Sequence, residues 1–307
     1  VSAGARRFNA LCEVRDPEIG SQQIALTMIP SASIQLLDVA TEAAVRTAAQ
    51  HAGVMVPAVY EVCTDESVLG GPFFLSAAIM GETVPRRVLR LVHGTDPSGA
   101  LGQKIAGQIG TAIAQLHAIP PEQIPPSLVT PPGAGPIDAA MTGVENQLIE
   151  LLAPSPIFSF GVSWLERNVP SEPNVACLVH SDIRNGNIIV GPDGLRAILD
   201  WEGSRIGDPM EDTAWTCQRM WRFRDDHLAV GGLGDAASMS DAYIAAGGHF
   251  DEDRFRWWRI MGTVRWGLAM AGQSRAHLDG SFPSIVMAAS GRRVAELEYD
   301  ALCLLRP

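Results

Sequence analysis

The sequence predicts an α+β fold in two parts: a small antiparallel sheet with one helix, then a larger, mostly helical portion. Three observations carry this expectation. Short runs of β-branched and aromatic residues, bounded by turn residues, surround a single helical stretch in the first part of the chain. A central group of apolar runs, Ala176–Val179, Ile188–Val190 and Ala197–Leu199, reads as short buried strands with polar residues at their ends. Much of the remainder carries helical periodicity, most clearly from Gly102 to His117.

Along the chain, Phe8–Val14 and Gln23–Ile29 read as strands and Thr41–His51 as a helix stopped by Gly53. Ala58–Cys63 and Phe73–Met80 read as two further strands. Pro120–Pro136 contains three Pro-Pro pairs with Gly133 and Gly135, which neither a helix nor a central strand accommodates, so it reads as a surface connector. Asn185-Gly186 and Pro192-Asp193-Gly194 are turn signals between the central strands. Asp253–Ala271 and Pro283–Leu305 read as C-terminal helices.

Composition narrows the classes of function. With 307 residues, 47% hydrophobic and 19% charged, the chain reads as a globular, soluble protein rather than a disordered one. No run approaches the roughly 20 apolar residues of a membrane span. There is no signal-peptide pattern, and the first residue is Val1 rather than Met, so residues are expected upstream. Five dispersed cysteines without Cys-x-x-Cys spacing favour reduced thiols and a cytoplasmic location over disulfides or zinc. A net charge of −11 argues against a nucleic-acid partner. It suits a cationic small molecule, though a solvated acidic surface is the simpler reading.

The segment from Leu178 to Asp212 carries the chemistry. His180, Asp182 and Asn187 fall on a loop between two apolar strands, and Asp200 begins the loop after the next one. Mg²⁺ takes hard oxygen ligands and keeps several waters, so one carboxylate with one amide oxygen suffices; Asp200 and Asn187 fit that pair. Asp182 fits the carboxylate that orients a hydroxyl nucleophile. Asn187 follows Asp182 by five positions, the Asp-x-x-x-x-Asn spacing of phosphotransfer loops.

His180-Ser181-Asp182-Ile183-Arg184-Asn185-Gly186-Asn187, Leu199-Asp200-Trp201-Glu202 and Gly207-Asp208-Pro209-Met210-Glu211-Asp212 together resemble the catalytic core of the aminoglycoside phosphotransferase and choline kinase-like family. The stretch from Val56 to Thr83 and the helix-like Ser163–Pro170 are similar to members related to the kinase-like domain of certain acyl-CoA dehydrogenases. The resemblance implies a bilobal, protein-kinase-like fold, with residues 1–82 as the nucleotide-binding lobe and 83–307 as the catalytic and substrate-binding lobe. It implies Asp182 as base, Arg184 at phosphate or substrate, Asn187 and Asp200 as Mg²⁺ ligands and Glu202 at a second metal. Ala77, Ala78 and Ile79 would form the hinge facing the adenine edge, and ATP or GTP would be the co-substrate. His180, Asp208 and Asp212 would brace the loop.

One half of the pattern is altered. Kinase-like enzymes hold the nucleotide phosphates with a strand lysine paired to a helix glutamate. Glu42 matches the glutamate, but Thr27 or Met28 stands where the cation belongs, and Lys104, the only lysine, is too distant to serve. The phosphate-covering turn is Ala3-Gly4-Ala5-Arg6-Arg7, in which Gly4 is a lone glycine and Arg6 or Arg7 a replacement cation.

The leading reading is therefore a small-molecule kinase acting on a hydroxylated substrate. A nucleotide-binding regulatory module without turnover is the alternative that the missing lysine motivates. A protein kinase is disfavoured, because Asp-Phe-Gly and Ala-Pro-Glu signatures are lacking. Neither the fold nor the sequence identifies the acceptor or the oligomeric state.

Overall fold

The computed structural model describes residues 7–16, 20–30, 36–128, 133, 135–173 and 175–306. Its first elements form a hairpin: β1 (Phe8–Asp16) pairs antiparallel with β2 (Gly20–Met28), from Phe8 opposite Met28 to Asp16 opposite Gly20. Helix α1 (Val39–His51) starts at Asp38, whose carboxylate accepts the Thr41 N–H at 2.8 Å and satisfies a donor the helix itself cannot. β3 (Val59–Cys63), the one-turn α2 (Glu66–Leu69) and β4 (Phe73–Ala77) complete a four-stranded sheet in the order β1-β2-β4-β3. Ile29, Val39 and Phe74 form its small core, with the Arg46 guanidinium 4.6 Å over the Phe74 ring.

β4 ends three residues before the expected Met80. Ala77 N–H still bonds to Ala58 O at 2.8 Å, but the following residues leave the ladder for other partners. Met80 O accepts Arg196 at 2.8 Å, and Glu82 exchanges two main-chain hydrogen bonds with Val190 at 2.9 and 3.0 Å. This crossing ties the small sheet to the central strands.

The larger part begins with α3 (Pro85–Thr95), α4 (Ala100–His117), α5 (Pro136–Ile149) and α6 (Pro156–Arg167). Next come β5 (Cys177–Val179), β6 (Ile188–Gly191), β7 (Gly194–Ile198) and β8 (Arg205–Gly207); β6 pairs with β7, and β5 with β8. The chain continues through α7 (Pro209–Thr216), α8 (Ala236–Ala245), α9 (Glu252–Leu278), α10 (Ile285–Gly291) and α11 (Val294–Leu305). Helices α3, α5 and α8 and strand β8 go beyond the sequence expectation. Pro85 and Pro136 act as first-turn helix starters rather than breakers, since the first-turn N–H has no intrahelical acceptor to lose. The helix expected over Pro283–Leu305 is two helices, interrupted after Gly291.

Buried Ile105, Ile109 and Ile113 place α4 in the main core. Its Gln108 side chain accepts Leu195 N–H at 2.9 Å, so α4 also fixes β7. At Gly110, an added methyl would lie 2.1 Å from Met239 O, so glycine sets how closely α4 and α8 approach. We predict that Gly110→Ala lowers unfolding free energy by about 1–3 kcal/mol through overpacking. At Gly107 the nearest atom would be 3.5 Å away, so Gly107→Ala is neutral or stabilising; denaturant titration of the two variants tests the contrast.

Candidate active site

The loop leaving β5 is held by one carboxylate. Asp212, on α7 and fully buried, accepts the main-chain N–H groups of His180 and Ser181 at 2.9 and 2.6 Å. Its Oδ2 also lies 3.2 Å from Nε2 of His117 at the end of α4, and the other His117 nitrogen is 3.1 Å from the Tyr243 hydroxyl. Burial alone would push the Asp212 pKa up, but the hydrogen bond and charge of His117, with help from His180, hold it below the usual carboxylate range.

This anchoring sustains an unusual backbone. Ser181 has φ +68°, a left-handed conformation that costs a non-glycine residue about 1–2 kcal/mol. Its hydroxyl donates to Gly203 O at 2.8 Å, joining the loop to the segment after β7. His180 is locked as well: its Nδ1 accepts Asp182 N–H at 3.2 Å, which leaves Nε2 to donate to Leu199 O at 3.0 Å. The neighbouring Asp208 caps α7 through Met210 N–H at 2.9 Å and pairs with Arg254 of α9.

Asp182 then projects into a ring of donors. Trp215 Nε1–H donates to Oδ1 at 2.7 Å, and Arg184 Nε reaches the two oxygens at 3.0 and 3.2 Å. Asn187 Nδ2 donates to Oδ2 at 2.6 Å and to Asp182 O at 3.0 Å. Burial raises the Asp182 pKa, opposed by the Arg184 charge and the Trp215 hydrogen bond, while the nearby Asp200 charge raises it further. The Arg184 guanidinium lies 4.7 Å over the Trp221 ring, which fixes it at the carboxylate.

Asn187 and Asp200 supply oxygen donors. Both Asn187 amide hydrogens are committed to Asp182, which leaves the amide oxygen available to a ligand. Leu199 N–H bonds to Asn187 O at 2.8 Å, so the residue before Asp200 is tied to Asn187. Asp200 itself has φ +67°, an uncommon conformation for a non-glycine residue. Among the described residues, no three His, Cys, Asp or Glu side chains converge on a metal position. One carboxylate and one amide oxygen are hard donors, and such a pair could hold a cation that keeps waters and ligand oxygens, as Mg²⁺ does.

Across the site stands Arg7, immediately before β1. Its Nη2 lies 2.7 Å from Glu42 of α1 and its Nε 2.8 Å from Glu202 after β7. Arg7 thus joins the sheet, α1 and the Asp200 loop, and these carboxylates, with Asp200, outweigh burial and raise its pKa. Thr27 instead donates its hydroxyl to Asn9 Oδ1 at 2.9 Å, bonding β2 to β1. The hinge candidates Ala77, Ala78 and Ile79 lie at the end of β4 and just beyond, with the latter two outside the ladder. Gly4 and Arg6 lie outside the described residues.

A family model described as "Phosphotransferase enzyme family", known as APH, matches residues 16–258. The chain belongs to this family.

Among curated relatives, the APH chain is 24% identical over 288 residues to mouse (Mus musculus) acyl-CoA dehydrogenase family member 10, covering 89% of the chain and 26% of that protein. It therefore spans about a quarter of that relative's length. Among solved structures, a Ralstonia eutropha JMP134 protein carrying the aminoglycoside phosphotransferase designation superposes with TM-score 0.75 at 21% identity, covering 97% of this chain and 92% of that one. Spectinomycin phosphotransferase APH(9)-Ia, solved with ADP and spectinomycin, gives TM-score 0.55 at 12% identity, covering 99% of this chain and 87% of that one. These likenesses show the bilobal, protein-kinase-like α+β fold.

Sequence reasoning did not single out Trp215 or Trp221 as partners of the site, nor the Asp212–His117–Tyr243 chain. Trp215 stands three residues after Asp212 on the same helix, and a buried indole N–H needs an acceptor, which is the one available signal. Asp212→Asn should cost about 3–5 kcal/mol near neutrality, because it breaks a buried charged network. A depressed folded-state pKa contributes stability above the unfolded value near 4 that is lost as pH falls through the folded value. Denaturant titrations from pH 7 to 3 should therefore show the wild-type advantage over Asp212→Asn shrinking with acidification.

Proposed function

We propose that this chain transfers the γ-phosphoryl group of ATP or GTP to a hydroxyl of a small molecule. The observation that carries the reading is the placement of Asp182, Asn187 and Asp200, with Asn187 oriented by Asp182 and its amide oxygen left for a ligand. Asn187 and Asp200 would hold Mg²⁺, which when bound neutralises phosphate charge. Glu202, the second-metal candidate from the sequence, is better read as a brace for Arg7, given their 2.8 Å ion pair.

Asp182 accepts or orients the acceptor hydroxyl's proton, and Trp215 and Arg184 keep its carboxylate aimed. Arg7 takes the place of the strand lysine. Its pairing with Glu42 resembles the lysine–glutamate pair, and its Nη1 remains free of the two ion pairs to meet phosphate. Residues 1–82 would then cover the nucleotide, with the Ala77–Ile79 backbone at the base, and residues 83–307 would supply the transfer centre and the acceptor site. ADP in the spectinomycin phosphotransferase structure supports a nucleotide donor for this fold.

Asp182→Ala should abolish transfer across a panel of hydroxylated small molecules while leaving nucleotide·Mg²⁺ binding by calorimetry intact. Unchanged turnover would remove Asp182 from the mechanism, and binding without turnover in the wild type would favour the regulatory alternative. Arg7→Gln removes a charged hydrogen-bonding partner worth about 1.5–3 kcal/mol, so nucleotide affinity should fall roughly tenfold or more. An unaltered affinity would return the phosphate contact to other residues.

A further inference from the structure

A concavity of about 200 Å³ lies between the turn after α7, helix α9 and helix α11. Gln218, Arg219, Arg222, Arg259, Asp300 and Cys303 line it. Its positive charge is incompletely balanced. Arg219 is neutralised, with Asp226 at 2.7 Å and Asp300 at 2.6 Å. Arg222 directs its two terminal nitrogens to main-chain oxygens of Asp226 and Cys217, at 2.7 and 2.8 Å, and has no ion pair among the described residues. Arg259 lies over the Phe255 ring at 5.8 Å, and among the described residues its guanidinium has neither a carboxylate nor a hydrogen-bond acceptor.

The Nε–H groups of Arg222 and Arg259 are buried, and neither has an acceptor among the described residues. The two cations also sense each other: burial, then the Arg259 charge, lowers the Arg222 pKa. Leaving buried donors and charges without partners is costly, and an arginine fork is shaped for oxyanions. It is notable chemistry in a chain whose net charge is −11.

We propose that this pocket binds the phosphate group of a small molecule, held between Arg222 and Arg259. The three arginines and the carboxylates of Asp226 and Asp300 sum to +1, so the match is one of donors rather than of net charge: two guanidinium forks whose Nε–H groups lack acceptors suit the three acceptor oxygens of a phosphate better than the two of a carboxylate. Asp300 does not oppose this, because its carboxylate is engaged by Arg219. None of the lining residues shares a hydrogen bond or ion pair with Asp182, Asn187 or Asp200, so the pocket uses none of the transfer residues and the inference stands whether or not that centre turns over.

Cys303, exposed at the pocket, provides the reporter. Its alkylation by a neutral maleimide is followed by mass spectrometry, with Cys12 and Cys63 as internal references. Inorganic phosphate should slow Cys303 several-fold relative to those references, while sodium chloride at equal ionic strength should not. Arg259→Gln, which removes the charge without breaking a side-chain hydrogen bond, should abolish the protection, and its melting temperature in phosphate-free buffer checks folding. An unchanged Cys303 rate in phosphate overturns the proposal in the wild type alone. Equal slowing by chloride, or equal slowing in a folded Arg259→Gln, overturns it too, and acetate protecting as well as phosphate overturns the preference for a phosphate group.

Discussion

The buried carboxylate of Asp212 is the constraint on which the candidate centre depends. It collects two loop N–H groups and the His117 imidazole, drawing together α4, α7 and the chain after β5. A lone buried carboxylate would be too costly to retain, but here each partner would also be left unsatisfied without it. The mutual need makes the loop rigid. With His180 and Ser181 fixed, the left-handed turn at Ser181 is held and Asp182 leaves the loop in a single direction.

A similar economy of partners runs through the rest of the molecule. Buried or nearly buried carboxylates meet arginines: Glu42 meets Arg7, Asp208 meets Arg254, and Glu211 meets both Arg205 and Arg265. Arginine suits this use because its charge persists on burial and its planar fork can serve two partners. At Arg7 the fork spans two carboxylates from different parts of the chain, which a single lysine ammonium on β2 would reach from another direction. The departure at Thr27 therefore has a structural counterpart in the strand beside it: Phe8, next to Arg7, pairs with Met28. Arg222 and Arg259 are set apart from this pattern, and that contrast gives their pocket its chemical character.

The placement of the central strands, the loop carrying Asp182 and Asn187, and the position of Asp200 after β7 were legible from the sequence. Apolar runs broken by turn residues leave short segments few alternatives, and the family motif fixes the spacing of the polar residues. Helices were less evenly legible. Gly102–His117 carries a strong apolar stripe, whereas α8 is rich in alanine and serine and shows its buried side only against α4. Pro136 pointed toward a connector when it in fact begins α5.

The sequence by itself determined the family, the α+β class and the candidate base and metal ligands, because these rest on residue type and short-range spacing. Only the tertiary structure decided which side chains would complete them. Glu42 and Glu202 are far apart in sequence yet share Arg7, and Trp215 reaches Asp182 from a separate helix. Such partnerships depend on how whole elements pack and on which buried charges and donors must find one another, and local pattern holds no record of either.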